Sequence, residues 1–156
     1  MEKKINTLCI IHQGQKVLLG MKKRGFGVGR WNGFGGKLNE GETIEQATKR
    51  EIFEEANIIV ADLEKFGMID FYWQSKPDFC IQVNIFKSKI FEGMPVESEE
   101  MKPQWFNVGK IPYDKMWKDD IFWLPLFLEN KKFKGKFIFD DADNILGKEL
   151  LEVKEI

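Results

Sequence analysis

An α+β fold, a mixed β-sheet sandwiched between α-helices, is what this sequence predicts. Three observations lead there. The chain has 156 residues, the length of one ordinary domain, and is expected to fold as a single unit over residues 1–156. Hydrophobic residues make up 43% and charged residues 31%, the balance of a globular chain and not of a disordered one. Strand-like runs and helical patterns occur together without strict alternation, and neither repeats nor a linker divide them.

Taken in order, residues 5–12 read as a strand with Leu8, Ile10 and Ile11 apolar, Gln13-Gly14-Gln15 as a turn, and 16–22 as the returning strand of a hairpin. Residues 25–36 hold Gly25, Gly27, Gly29, Gly33, Gly35 and Gly36, interleaved with Phe26, Arg30, Trp31, Asn32 and Phe34. Large functional groups on a backbone that permits close approach suit a ligand loop. Thr43 is a good N-cap, Gln46 completes a capping box, and a helix is expected over 44–56. Asn57 then stands where a left-handed C-terminal residue is wanted. Residues 63–74 and 79–91 read as paired strands around a turn at Pro77, 93–103 as an acidic loop, and 105–107 as a short strand. A second helix is expected from Asp119 to about residue 130, followed by strands over 133–139 and 146–153.

Composition excludes several functions. Lys and Arg number 24 against 25 Asp and Glu, a net charge of −1, so no general electrostatic grip on nucleic acid or an anionic membrane is expected. No window approaches the roughly 20 apolar residues that span a bilayer, and Met1-Glu2-Lys3-Lys4-Ile5 lacks the pattern of a signal peptide. Cys9 and Cys80 are too few for a disulfide scaffold and read as buried, reduced thiols, so a cytoplasmic location is expected. His12, the only histidine, ends a strand and reads as a surface residue, which leaves no histidine base elsewhere. The size and the lack of an apolar stripe favour a monomer.

The richest chemistry lies between residues 36 and 58. At about 100° per residue, Glu51, Glu54 and Glu55 fall on one flank of the helix, shared with Ile44, Ala47 and Thr48. Like charges so placed repel, and Arg50 alone cannot neutralise three of them. A solvated acidic face is the plain alternative. The adjoining Gly35-Gly36-Lys37 and Glu40 and Glu42 favour a different reading, a diphosphate carried on Mg²⁺, with Mn²⁺ as a substitute.

Gly36, Glu42, Arg50-Glu51-Ile52, Glu54-Glu55 and Asn57-Ile58, with their fixed gaps over 23 residues, resemble the signature box of the Nudix hydrolases. Asn57 stands where the family has Gly. The resemblance implies the Nudix fold, a metal bound by Glu51, Glu54 and Glu55 with the Gly36 carbonyl, hydrolysis of a nucleoside diphosphate linked to another group, and a structural Arg50–Glu42 ion pair. Glu54 and Glu55 are both candidates for the base that takes a proton from water. Glu100 is placed to reach the metal from another element.

Beyond the box, residues 19–27, 30–37 and 95–98, Met116-Trp117 and Asp119-Asp120 resemble the animal-type oxidised purine nucleoside triphosphatases of that family. This implies a small-molecule nucleotide substrate: 8-oxo-dGTP and 2-hydroxy-dATP, cleaved to monophosphate and pyrophosphate. Trp117 offers a face on which a purine can stack, worth about 1–3 kcal/mol. Asn32 carries both a donor and an acceptor for a purine edge. Phe26, Phe71 and Trp123 would wall the pocket, and Lys22 would attract phosphate. Met101 and Thr7 are carried over as further contacts. Asp119 and Asp120 are adjacent acids, of which one should hold a proton in an apolar pocket and so let the pair match two oxidised bases. The alternatives are a family member acting on ADP-ribose, a dinucleoside polyphosphate or a cap-like substrate, and a nucleotide-binding module without catalysis.

Overall fold

A computed structural model describes residues 1–156. Its strands are β1 (Glu2–Gln13), β2 (Lys16–Lys22), β3 (Trp31–Asn32), β4 (Ile59–Val60), β5 (Glu64–Trp73), β6 (Lys76–Ser88), β7 (Phe91–Glu92), β8 (Met101–Asn107), β9 (Lys132–Phe139) and β10 (Ile145–Val153). The helices are α1 (Ile44–Ala56) and α2 (Asp120–Leu128). Eight strands form one sheet in the order β10-β9-β5-β6-β1-β2-β3, with β8 also paired to β2, while β4 and β7 form a small ribbon. The β1–β6 and β5–β9 pairs are parallel and the others antiparallel, so the sheet is mixed.

The alternation of side chains along the strands divides the core into two layers. Cys9, Ile11, Leu18 and Phe34 pack with Ile52 and Ala56 of α1. Ile10, Val17, Leu19, Ile69 and Ile85 pack on the opposite face with Trp123, Leu124 and Phe127 of α2. The sheet is thus held between the two helices.

Local signals set α1. Thr43 Oγ1 accepts from the Gln46 N–H at 3.1 Å, Gln46 Oε1 accepts from the Thr43 N–H at 2.9 Å, and Asn57 closes the helix at φ +60°. The anchor of α2 is less conventional. Lys87 of β6, 1% exposed, donates from Nζ to the Phe127 carbonyl at 2.6 Å and to Asn130 Oδ1 at 2.7 Å. Its ammonium lies over the Phe66 and Phe127 rings at 4.2 and 4.4 Å. Burial, with Lys89 nearby, pushes its pKa down to about 8.

Several boundaries differ from the sequence reading. β1 begins at Glu2 because β6 runs parallel beside it from Phe79, supplying partners to residues with little apolar character. The β5–β6 turn is at Gln74-Ser75, and Pro77 lies inside β6, ahead of the point where β1 pairing starts and where no ladder N–H is required. β8 starts at Met101, within the expected acidic loop, because all of β2 from Lys16 to Lys22 is open to it. Cys9 and Cys80 are buried and free, and burial pushes the Cys9 thiol up to about 12. His12 hydrogen-bonds the Gly14 carbonyl at 3.0 Å in the first hairpin. No helix is long and apolar enough to cross a membrane.

Candidate active site

β1 and β2 pair only at Ile11–Gln13 and Lys16–Leu18, then diverge. The glycine segment fills the wedge between them. On one side β3 pairs with Gly20 and Met21. On the other, the Cys9 N–H donates to the Phe34 carbonyl at 2.6 Å and the Thr7 N–H to the Gly36 carbonyl at 2.9 Å. The fit requires glycine: a side chain on Gly35 would run into the Thr7 carbonyl, and a Cβ on Gly36 would stand 2.7 to 2.9 Å from the Glu51 carboxyl.

This wedge brings the segment against α1. Arg50 ties the two together, from Nε to Glu42 Oε2 at 2.7 Å, from Nη2 to Glu42 Oε1 at 2.9 Å and from Nη2 to the Lys37 carbonyl at 2.9 Å. Its Nη1 also reaches Glu51 at 2.7 Å and Glu54 at 3.2 Å. The guanidinium fork and the Asn39 N–H hold the Glu42 carboxyl below the usual range. Glu55, 4% exposed, accepts from the Gly35 N–H at 2.8 Å. Burial pushes its pKa up to about 8; Glu51 and Glu100 push the same way, and the Gly35 N–H and Lys22 oppose them. Glu100 is held by Arg24 at 2.7 Å and Lys22 at 3.4 Å, and the Arg24 hydrogen bond lowers its pKa.

A second group of residues gathers on the α2 face of the sheet. The Trp117 ring has Phe26 at 5.1 Å, centroid to centroid, and the Arg30 guanidinium at 4.2 Å. Arg30 is in turn paired with Asp143 at 3.1 Å, which ties the glycine loop to the β9–β10 turn. Asp119 Oδ2 accepts from Trp123 Nε1 at 2.8 Å. Asp119 and Asp120 are both buried, and burial raises the pKa of each. Burial is the first cause for Asp120, which is raised well above its ordinary value, and the neighbouring Asp119 charge adds to it.

One cavity of about 710 Å³ joins the two groups. Its wall includes Thr7, Lys22, Phe26, Asn32, Gly36, Lys37, Glu55, Phe71, Met101, Trp117, Asp119 and Trp123. Glu51, Glu54, Glu100 and Asp120 lie outside that wall: Glu51 is behind Gly36, Glu54 is half-exposed on the α1 flank, Glu100 is on the rim with Arg24, and Asp120 is beside Asp119. The sequence reading missed Asn6, Trp73 and Phe139 in the same wall. For Trp73 the signal is period-two spacing, with Phe71 and Trp73 on β5 facing the cavity as Phe79, Ile81, Val83 and Ile85 do on β6, whereas on β1 Thr7 joins Lys4, Asn6 and Leu8 in the wall.

The family description NUDIX domain matches residues 2–127. The chain belongs to the Nudix hydrolase family. The oxidized purine nucleoside triphosphate hydrolase of Mus musculus is 52% identical over 150 residues, covering 96% of each chain. The protein of the same name from Danio rerio is 50% identical over 153 residues, covering 98% of this chain and 97% of its own. Among solved structures, a MutT protein from Bacillus halodurans superposes with a TM-score of 0.84 at 27% identity, covering 94% of this chain and 97% of that one.

Nudix hydrolases use divalent metal cations, and the donor chemistry here fits one. Carboxylate oxygens are the ligands that hard divalent cations favour. The Glu51 carboxyl occupies the space that a Cβ on Gly36 would take, and Glu55 is buried close enough to Glu51 and Glu100 to feel both charges. No three acidic side chains converge at ligand spacing, since Arg50, the Gly35 N–H, Arg24 and Lys22 each engage one or two of them.

Proposed function

We propose that the protein hydrolyses oxidised purine nucleoside triphosphates, 8-oxo-dGTP and 2-hydroxy-dATP, to the monophosphate and pyrophosphate in a Mg²⁺-dependent reaction. The observation that carries this reading is the continuity of one cavity from Trp117, Asn32 and Asp119 to Gly36 and Glu55. The Mus musculus and Danio rerio relatives, alike in name and nearly co-extensive with this chain, support it.

Each residue's part follows from its surroundings. Trp117 supplies a stacking face, braced by Arg30, with Phe26, Phe71 and Trp123 completing the enclosure. Asn32 and the Asp119–Asp120 pair read the base edge. With its proton on Asp120 or passed to Asp119, the pair presents a donor or an acceptor, which suits two bases of opposite pattern. Lys22 and Lys37 meet phosphate, while Thr7 and Met101 shape the passage between the ends. Glu51, Glu54, Glu55 and Glu100 with the Gly36 carbonyl would hold the divalent cation, which when bound lowers the pKa of water and offsets phosphate charge. Glu55 is the better placed of the two candidate bases, since it lines the cavity, whereas Glu54 faces outward to Arg50. The whole of residues 1–156 would act as one domain, a cytoplasmic monomer acting on free nucleotides.

The test is pyrophosphate release from a panel of normal and oxidised nucleotides at equal concentration, for the wild type and Glu55→Gln. The reading expects 8-oxo-dGTP and 2-hydroxy-dATP to be turned over faster than dGTP and dATP. Equal rates on oxidised and normal purines would transfer the assignment to another nucleoside diphosphate derivative.

A further inference from the structure

Trp117 and Trp123 both line the cavity, and they are held in different ways. Trp123 is fixed by the hydrogen bond from its Nε1 to Asp119 at 2.8 Å. The Trp117 ring is fixed by what packs on it: the Phe26 ring at 5.1 Å, the Phe139 ring edge-on at 5.9 Å and the Arg30 guanidinium at 4.2 Å. Phe26 is 68% exposed and stands between Gly25 and Gly27, both at positive φ, on a backbone that gives it latitude. Arg30 is fastened at both ends. Its N–H donates to the Gly27 carbonyl at 3.1 Å, its carbonyl accepts from the Lys22 N–H at 3.0 Å, and its guanidinium pairs with Asp143 at 3.1 Å.

The far anchor is a hydrogen-bonded turn between β9 and β10. Asp140 Oδ1 accepts from the Ala142 N–H at 2.9 Å and from the Asn144 N–H at 2.8 Å, and the Asp143 N–H donates to the Asp140 carbonyl at 3.1 Å. Asp143 is thereby set at φ +61° with its carboxyl on Arg30. Asn144 of the same turn accepts from Lys118 Nζ, so Asn144 engages the neighbour of Trp117 directly while Asp143 engages Trp117 through Arg30. A carboxylate paired with the guanidinium limits the rotamers open to the long Arg side chain and keeps its plane on the indole. Neither Arg30 nor Asp143 lines the cavity, so any influence they have on a ligand passes through Trp117.

We infer that the β9–β10 turn sets the affinity for the base: Asp143, acting through Arg30, holds the Trp117 ring at the angle in which it receives a purine. Arg30 and Asp143 are positioning residues, and the inference rests on the reading of Trp117 as the stacking face. It is tested by titration calorimetry with 8-oxo-dGMP and by steady-state kinetics with 8-oxo-dGTP. The full chain is used as wild type, Asp143→Asn, Arg30→Gln and the two together, each also with Trp117→Leu. Asparagine tolerates the left-handed backbone, so Asp143→Asn removes the charge and keeps the turn; thermal melting checks this, and Arg30→Gln carries the test if the turn is lost. Each of the two should weaken binding by about twofold to fivefold, the worth of a part-exposed cation on an indole, and together by no more than the greater of them. KM should rise by the same factor, with kcat unchanged within about twofold. With Trp117→Leu present the loss should vanish, which a general loosening of the fold would not produce. Unchanged binding in either variant, a loss that persists with Trp117→Leu, or a fall in kcat at constant KM overturns the inference. If Trp117→Leu by itself costs no affinity, or no nucleotide binds, the stacking reading fails and the inference with it. If Trp117→Leu costs affinity but Asp143→Asn and Arg30→Gln do not, the stacking reading stands and the inference alone falls.

Discussion

Replacing Gly36 with alanine should separate activity from folding. Gly36 does not adopt a positive φ, so alanine meets no backbone strain, and the nearest atoms to its new Cβ all belong to the Glu51 carboxyl, at 2.7 to 2.9 Å. Carbon contacts are comfortable at about 3.5–4.0 Å, so the carboxyl must withdraw by about 1 Å. Glu51 is a flexible side chain and can do so, and the stability cost should stay below about 1 kcal/mol. A displacement of that size in a group that positions the reaction costs about 100-fold in rate. The assay is kcat/KM for 8-oxo-dGTP with Mg²⁺, alongside urea unfolding. A folded Gly36→Ala that retains activity within about threefold of wild type would refute the placement of Glu51 at the reaction centre. Gly35→Ala supplies the contrast: its obstacle is the Thr7 carbonyl, a backbone atom that cannot withdraw, so the loss should appear in stability.

Three further outcomes are expected. Arg50→Lys should lower both stability and activity, because an ammonium cannot hold both Glu42 oxygens and the Lys37 carbonyl at once; unchanged unfolding and kcat/KM would show that the fork is dispensable. Asp119→Asn and Asp120→Asn should each change the ratio of 8-oxo-dGTP to 2-hydroxy-dATP turnover, and a constant ratio would reject proton exchange between the two acids. Lys87 has a native pKa near 8, below the unfolded value, so the unfolded chain binds more protons between about pH 8 and 10.4. Wild-type stability should therefore rise relative to Lys87→Met across that window in urea melts at stepped pH, and parallel curves would show that Lys87 titrates normally.

What the sequence made legible was what short-range chemistry determines. The Thr43–Gln46 box, the left-handed Asn57 and the spacing of Glu51, Glu54 and Glu55 all lie within a few residues of one another, and the helix lies where they place it. The Arg50–Glu42 pair is the one that the family resemblance implied, since helical spacing alone relates Arg50 to Glu54. The ends of the strands were not. Glu2–Lys4 join a strand only because β6 lies alongside, and Met101–Gln104 only because β2 is open to them. For the same reason Asn6, Trp73 and Phe139 could not be read as neighbours: they come from β1, β5 and β9, and only the assembled sheet brings them to one cavity. Nor does helical spacing reveal that Arg50 draws Glu51 and Glu54 to one side while Glu55 turns toward Gly35.

The most direct test of the whole account is pyrophosphate release from 8-oxo-dGTP and dGTP by the wild type, with Mg²⁺ and with excess EDTA. The account predicts faster release from 8-oxo-dGTP, abolished by the chelator. Release that persists without metal, or that proceeds equally from dGTP, would contradict it.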